Sequence, residues 1–269
     1  MDIQMTFHKY SGAGNSFLVA DGRLSAPVGV SEVRALCSRE GVDGLMILSA
    51  SSAFDFKMEY FNPDGSTGMM CGNGGRCIVA FAAFLGITPA RGASYEFEAP
   101  DGIHTASILS DDGSRSIVRL SMIDPEGIRK MHCEGFEGIF MNTGARHFVT
   151  FVDDVEKVDV EASGALLRNS PTFRPEGTNV DFVQVTGPGE ICVRTFEKGV
   201  EDETLACGTG IVASAVASRL RGDSSCLFTV HARTDTLSVE FTPDLREVFL
   251  IGPAERLSYH LLPEELLTV

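Results

Sequence analysis

The chain has 269 residues, with 22 Lys and Arg against 37 Asp and Glu, and a formal net charge of −15. A hydrophobic share of 43% beside 22% charged residues is the balance of a folded protein, and the length permits one large or two mid-sized domains. The acidic balance argues against nucleic acid and anionic membrane surfaces as partners, since both are polyanions, and no apolar run approaches the roughly 18 residues of a membrane span.

The start, Met1 to Tyr10, lacks the basic and apolar regions of a signal peptide, so a cytoplasmic protein is expected. Glu32–Cys37 reads as a short surface helix. From about Gly74 to Leu85 the chain is apolar nearly all round and stops at Gly86, as a buried helix with a glycine C-cap would. Ser94–Ala99 and Ser116–Met122 are β-branched and aromatic runs that read as strands. Pro125 and Gly127 interrupt the pattern at Asp124–Gly127, the expected link between halves. Beyond it, His147–Val152, Val180–Val185, Glu190–Phe196 and Glu247–Ile251 read as strands, and Glu161–Leu167 as a second surface helix. A second apolar helix is expected from about Gly210 to Arg221, stopping at Gly222.

The two halves resemble each other. Met70-Cys71-Gly72-Asn73-Gly74 and Ala206-Cys207-Gly208-Thr209-Gly210 each read Cys-Gly-polar-Gly before an apolar helix, about half the chain apart. Tyr60-Phe61-Asn62 matches Thr195-Phe196-Glu197, and Ser11-Gly12-Ala13 with Phe17 matches Thr143-Gly144-Ala145 with Phe148, in the same order. A duplicated unit follows. The expected fold is α+β, with two pseudo-symmetric lobes, each a barrel-like, mostly antiparallel sheet wrapped around a central buried helix. The first lobe takes residues 1–123 with about 256–269 and carries Cys71; the second takes 124–255 and carries Cys207.

Seven cysteines, odd in number and scattered, do not suggest a disulfide framework. Cys77, inside the first apolar helix, and Cys37, Cys133, Cys192 and Cys226 read as packing residues. Cys71 and Cys77 lie too far apart for the usual metal-ligand spacing, with no His cluster to complete a set, so no metal is expected. Cys71 and Cys207 differ from the rest because each stands at a helix N-terminus. There the helix dipole favours a thiolate, the reactive form, and glycines let backbone N–H groups approach an anion. Two such thiols related by pseudo-symmetry suit stereochemical inversion, in which one takes a proton from one face of a carbon and the other delivers a proton to the opposite face. No lysine motif for pyridoxal phosphate is evident, and no cofactor is expected.

Ser11-Gly12-Ala13-Gly14-Asn15-Ser16-Phe17, Phe61-Asn62-Pro63-Asp64-Gly65-Ser66, Met70 to Cys77, Thr178-Asn179-Val180, and Glu197-Lys198-Gly199 through Glu203 to Gly210 together resemble the diaminopimelate epimerase family. The resemblance runs from residue 7 to residue 217. It implies a metal-free epimerase, independent of pyridoxal phosphate, acting on LL- and meso-diaminopimelate in lysine and peptidoglycan precursor supply, with Cys71 and Cys207 as the thiolate and thiol. It further implies a last segment near Ser258–Val269 that returns to the first lobe. Asn15, Asn62 and Asn179 are implied to bind substrate. Asn73, Gly208 and Thr209 are implied to cradle the reacting carboxylate, Gly72 to bind substrate, Glu197 to hold the amino group, and His147 to assist a thiol.

Several positions depart from the family pattern. Lys198 stands where the family has Arg, Gly44 where it has Gln, Ala145-Arg146 where it has Asn-Pro, and Ser16 where it has Asp. A lysine does not reproduce an Arg fork on a carboxylate, so Lys198 bears on how the far end of the substrate is read. Two alternatives therefore stay open: a racemase of altered or relaxed substrate, such as glutamate, and a non-enzymatic carboxylate-binding or thiol redox protein. A small-molecule amino acid is the expected partner, and a homodimer stays open.

Overall fold

The computed structural model describes residues 5–24, 27–68 and 70–261. Of the segment expected to return to the first lobe, residues 262–269 lie outside the described residues. The chain divides into two units, Met1–Leu120 with Gly252–Val269, and Ser121–Ile251.

In the first unit the elements run β1 (Thr6–Gly12), β2 (Asn15–Asp21), α1 (Val30–Glu40), β3 (Gly44–Ser49), β4 (Phe56–Phe61), α2 (Gly72–Phe84), β5 (Tyr95–Ala99), β6 (Gly102–Asp111) and β7 (Arg115–Ser121). In the second they run β8 (Glu126–Cys133), β9 (Phe136–Asn142), β10 (Arg146–Phe151), α3 (Val160–Arg168), β11 (Asn179–Gly187), β12 (Glu190–Glu197), β13 (Asp202–Thr204), α4 (Gly208–Leu220), β14 (Leu227–His231) and β15 (Thr236–Glu240). Strand β16 (Phe249–Leu261) begins in the second unit and ends in the first.

Strands β1 to β7 neighbour one another in chain order, and β16 pairs with both β7 and β1, so eight strands close a ring. Closure leaves no unpaired edge in that ring. The second unit orders β15-β14-β12-β11-β10-β9-β8, with β13 on β12. Most pairs are antiparallel; the parallel ones are β2–β3, β4–β5, β10–β11 and β12–β14. Each parallel pair is spanned by one of the four helices, as a parallel connection requires. The first unit runs two strands, helix, two strands, helix and three strands, and the second three strands, helix, three strands, helix and two strands, so each has two helices that each connect a parallel pair.

The residue pattern explains which helix goes where. In α1, Val33, Leu36 and Cys37 form one buried stripe, which packs on Phe7, Leu18, Leu45 and Ile47. Helix α3 likewise sets Val160 and Leu167 on Phe148, Val180, Phe182 and Phe196. In contrast, α2 is buried from Gly72 to Ala82 and α4 over nearly all of Gly208–Ser218. Helices of that kind find enough apolar partners only inside a curled sheet, where each buried Ile, Val or Phe contributes roughly 1.5–3 kcal/mol. Both helices start two residues before the expected position, with Cys71 and Cys207 as N-caps. Gly86 and Gly222 follow their last turns with φ of 74° and 118°.

Candidate active site

The chain reverses between β1 and β2 through Ala13 and Gly14, both at positive φ (55° and 93°), a two-residue hairpin turn that pairs Gly12 with Asn15. This brings Asn15 beside the first turn of α2. Its Oδ1 accepts a 2.6 Å hydrogen bond from Asn73 Nδ2 in the first turn of α2. Gly12 admits the helix: a Cβ there would sit 2.6 Å from Asn73 O. Arg76, fully buried, donates to Gly72 O (3.1 Å), Asn73 Oδ1 (3.0 Å) and Pro253 O (3.2 Å), and so ties the helix start to β16. Asn62 closes its own turn, donating from Nδ2 to Ser66 Oγ (3.0 Å). Its Oδ1 lies beside Gly68, three residues before Cys71.

Cys71 and Cys207 have nearly the same backbone conformation, φ −105° and ψ 127° against φ −106° and ψ 111°. In each helix the first internal bond runs from Gly75 N to Cys71 O (2.7 Å) or from Ile211 N to Cys207 O (2.9 Å). The N–H groups ahead of it point out of the helix end, an arrangement that suits a carboxylate.

Around Cys207 the second unit assembles a buried polar chain. Strand register makes it: His147 pairs with Asn179 across β10–β11, and Asp181 pairs with Thr195 across β11–β12. Asn179 and Asp181, two apart, share a face. His147 Nδ1 lies 2.7 Å from Asp181 Oδ2, both side chains fully buried. Thr195 Oγ1 donates to Asp181 Oδ1 (2.7 Å). His147 Nε2 lies 2.9 Å from Thr209 Oγ1 and 3.3 Å from Asn179 Nδ2, and Thr209 Oγ1 lies 3.4 Å from Cys207 Sγ. Gly210 makes the approach possible, because a Cβ there would overlap the Asp181 carboxylate.

One electrostatic expectation is corrected. The helix end was expected to hold both thiols low, yet the Cys207 thiol is pushed well above its ordinary range. Burial is the main cause, followed by the negative charges of Glu197 and Asp181; the hydrogen bonds with the Thr209 side chain and the Gly210 backbone act the other way and are smaller. Burial also pushes Cys77 up to about 12 and Cys37 up to about 11. Cys37, Cys77, Cys133, Cys192, Cys207 and Cys226 are free thiols.

Within the second unit, Glu197 accepts from Thr204 Oγ1 (3.0 Å), and Lys198 donates its backbone N–H to Asn179 Oδ1 (2.8 Å). The two cations at family-differing positions converge on one residue: Lys198 Nζ donates to Glu176 O (3.2 Å), and Arg146 Nη1 pairs with Glu176 Oε2 (2.7 Å). The structure thus gathers Cys71, Gly72, Asn73 and Asn15 in one unit, and Cys207, Gly208, Thr209, His147, Asn179, Glu197 and Lys198 in the other. Sequence reasoning missed Arg76, Asp181, Thr195 and Glu176. Two of these carried a signal: a lone Arg in an apolar helix, and an Asp inside the apolar run Val180–Val185.

The family model for diaminopimelate epimerase matches residues 7–125 and 139–257. A diaminopimelate epimerase of Chlorobaculum tepidum is 42% identical over 251 residues, covering 91% of this chain and 96% of its own. One from Aquifex aeolicus is 40% identical over 281 residues, covering 98% and 99%. Among solved structures, a predicted epimerase of Pseudomonas aeruginosa shares the fold at a TM-score of 0.71 and 15% identity, covering 96% of this chain and 99% of its own. A hydroxyproline epimerase of Agrobacterium vitis does so at 0.69 and 16%, covering 96% and 91%. The doubled match of the family model falls on the two units that each present a cysteine at a buried helix start, and the chain belongs to the diaminopimelate epimerase family.

Proposed function

We propose that the chain interconverts LL- and meso-diaminopimelate without a cofactor, by two-base proton transfer at one Cα, in the supply of lysine and peptidoglycan precursors. The observation that carries this reading is the pair of N-cap cysteines, matched in backbone conformation and each at the head of a buried helix, in a chain of this family. Inversion requires one group to remove the Cα proton and another to return a proton from the opposite face; Cys71 and Cys207 take these roles. The carbanion is stabilised as charge moves onto the α-carboxylate, and backbone N–H groups at a helix start, those of Asn73, Gly208 and Thr209, suit that charge. Glu197 holds the amino group, His147 assists Cys207, and Asn15, Asn62 and Asn179 orient the remainder. Cysteines held as thiols suit a reducing compartment, and we place the enzyme in the cytoplasm.

The test is α-proton exchange in deuterated water with LL- and meso-diaminopimelate. Deuterium should enter at Cα with interconversion of the isomers, and Cys71→Ala or Cys207→Ala should abolish interconversion. No exchange with diaminopimelate would end the reading; exchange surviving in the double variant would end the mechanism. A second reading, a racemase of altered substrate, is favoured by the engagement of Lys198 and Arg146 with Glu176. It requires faster exchange with glutamate than with diaminopimelate.

A further inference from the structure

We propose that Asp181 is a positioning residue for Cys207, acting through His147 and Thr209 to give the thiol proton a defined way out. The proposal rests on the reading of Cys207 as an acid–base group. It begins with an amide whose orientation is determined. Asn179 Oδ1 accepts the Lys198 N–H at 2.8 Å, so Nδ2 is the atom that faces His147 Nε2 at 3.3 Å. An amide nitrogen only donates, which makes Nε2 an acceptor. The ring proton is then on Nδ1, facing the Asp181 carboxylate at 2.7 Å. With Nε2 accepting, the Thr209 hydroxyl donates to it at 2.9 Å, and a lone pair of Oγ1 is left for the Cys207 S–H at 3.4 Å.

Every donor and acceptor in this chain points the same way, from sulfur to imidazole. In the transfer, the Cys207 S–H bond breaks and its proton joins Thr209 Oγ1. The hydroxyl proton of Thr209 passes to Nε2. Thr209 gains and loses one proton, leaving a thiolate at Cys207 and an imidazolium against Asp181. That thiolate can then accept the Cα proton, and the reverse sequence restores the thiol. Asp181 is held for the task by Thr195, which donates to its other oxygen at 2.7 Å. The charged or titratable groups facing Cys207 and its relay are His147 from β10, Asp181 from β11 and Glu197 from β12. The direct field of Asp181 opposes a thiolate, so its two influences have opposite signs, and this makes the proposal decidable.

The experiment is iodoacetamide labelling of the whole enzyme at about pH 7.5, read for each cysteine by peptide mass spectrometry. In Asp181→Asn, labelling of Cys207 should fall roughly tenfold, the equivalent of one pKa unit, with Cys71 unchanged within about twofold. Thr209→Val should give the same loss, and the double variant no further loss, because the groups act as one path. Cys207 labelling at the wild-type rate or faster in Asp181→Asn overturns the proposal; a faster rate means that Asp181 acts only through its negative field. If Asp181→Asn unfolds, shown by all seven thiols labelling alike, Thr209→Val decides alone, and unchanged labelling there overturns the proposal. Labelling does not depend on turnover. The wild-type exchange assay therefore judges the proposed function separately.

Discussion

At Cys207 opposing terms can be compared by size. A helix N-terminus favours a charge by up to about 2 kcal/mol, or roughly one and a half pKa units. Full burial shifts a group by as much as 3–5 units the other way, and Glu197 and Asp181 add to it. Burial wins, and Cys207 rests as the thiol at neutral pH. Neutralising the stronger of the two charges should help the thiolate: Glu197→Gln should speed iodoacetamide labelling of Cys207 several-fold, while Asp181→Asn slows it. Lys198, whose Nζ donates to the Glu176 carbonyl, stands where the family has arginine. Lys198→Ala should raise KM for diaminopimelate roughly tenfold, as loss of a charged hydrogen bond does. Its kcat should change little, because the distal end does not react; an equal fall in kcat would count against a distal role.

Among the elements, α2 depends on close backbone approach. A Cβ on Gly12 meets a backbone oxygen, Asn73 O, that cannot swing aside. Gly12→Ala should therefore cost about 1–3 kcal/mol in urea unfolding and disturb the Asn73–Asn15 bond. The interior of the same helix gives a pH effect. Burial pushes the Cys77 thiol up from its ordinary range to about 12, because only the neutral thiol tolerates its site. A group raised in this way contributes stability that is complete below the unfolded pKa and is lost as pH rises through the folded one. The urea midpoint should thus fall between about pH 9 and about pH 12. Cys77→Ala should flatten that slope without removing it, since Cys37 is raised too; an unchanged slope would show that Cys77 does not titrate in that window.

For the whole molecule, β16 is the strand on which ring closure depends. It pairs with β1 from Thr6 to Ser11 and neighbours β7. Ending the chain after Ile251 would expose both edges of the ring and leave Arg76 without Pro253 O. Such a truncation should abolish cooperative unfolding of the first unit and send the protein into aggregates, measured by size-exclusion chromatography and thermal melts. A soluble, cooperatively melting product would show that seven strands suffice.

The doubled Cys-Gly-x-Gly and the apolar helices with their glycine stops are local patterns, and local patterns determine helix ends. From them the sequence by itself determined the lobe architecture, the central helices and the identity of the two N-cap thiols. Tertiary structure decided what surrounds those thiols. Asp181 meets His147 across 34 residues of chain, and Arg76 meets Pro253 across 177, through strand register and ring closure that no window of sequence contains. The protonation of Cys207 was decided there as well. A helix start is legible as a dipole, but the burial and the carboxylates that outweigh it exist only once distant strands have come together.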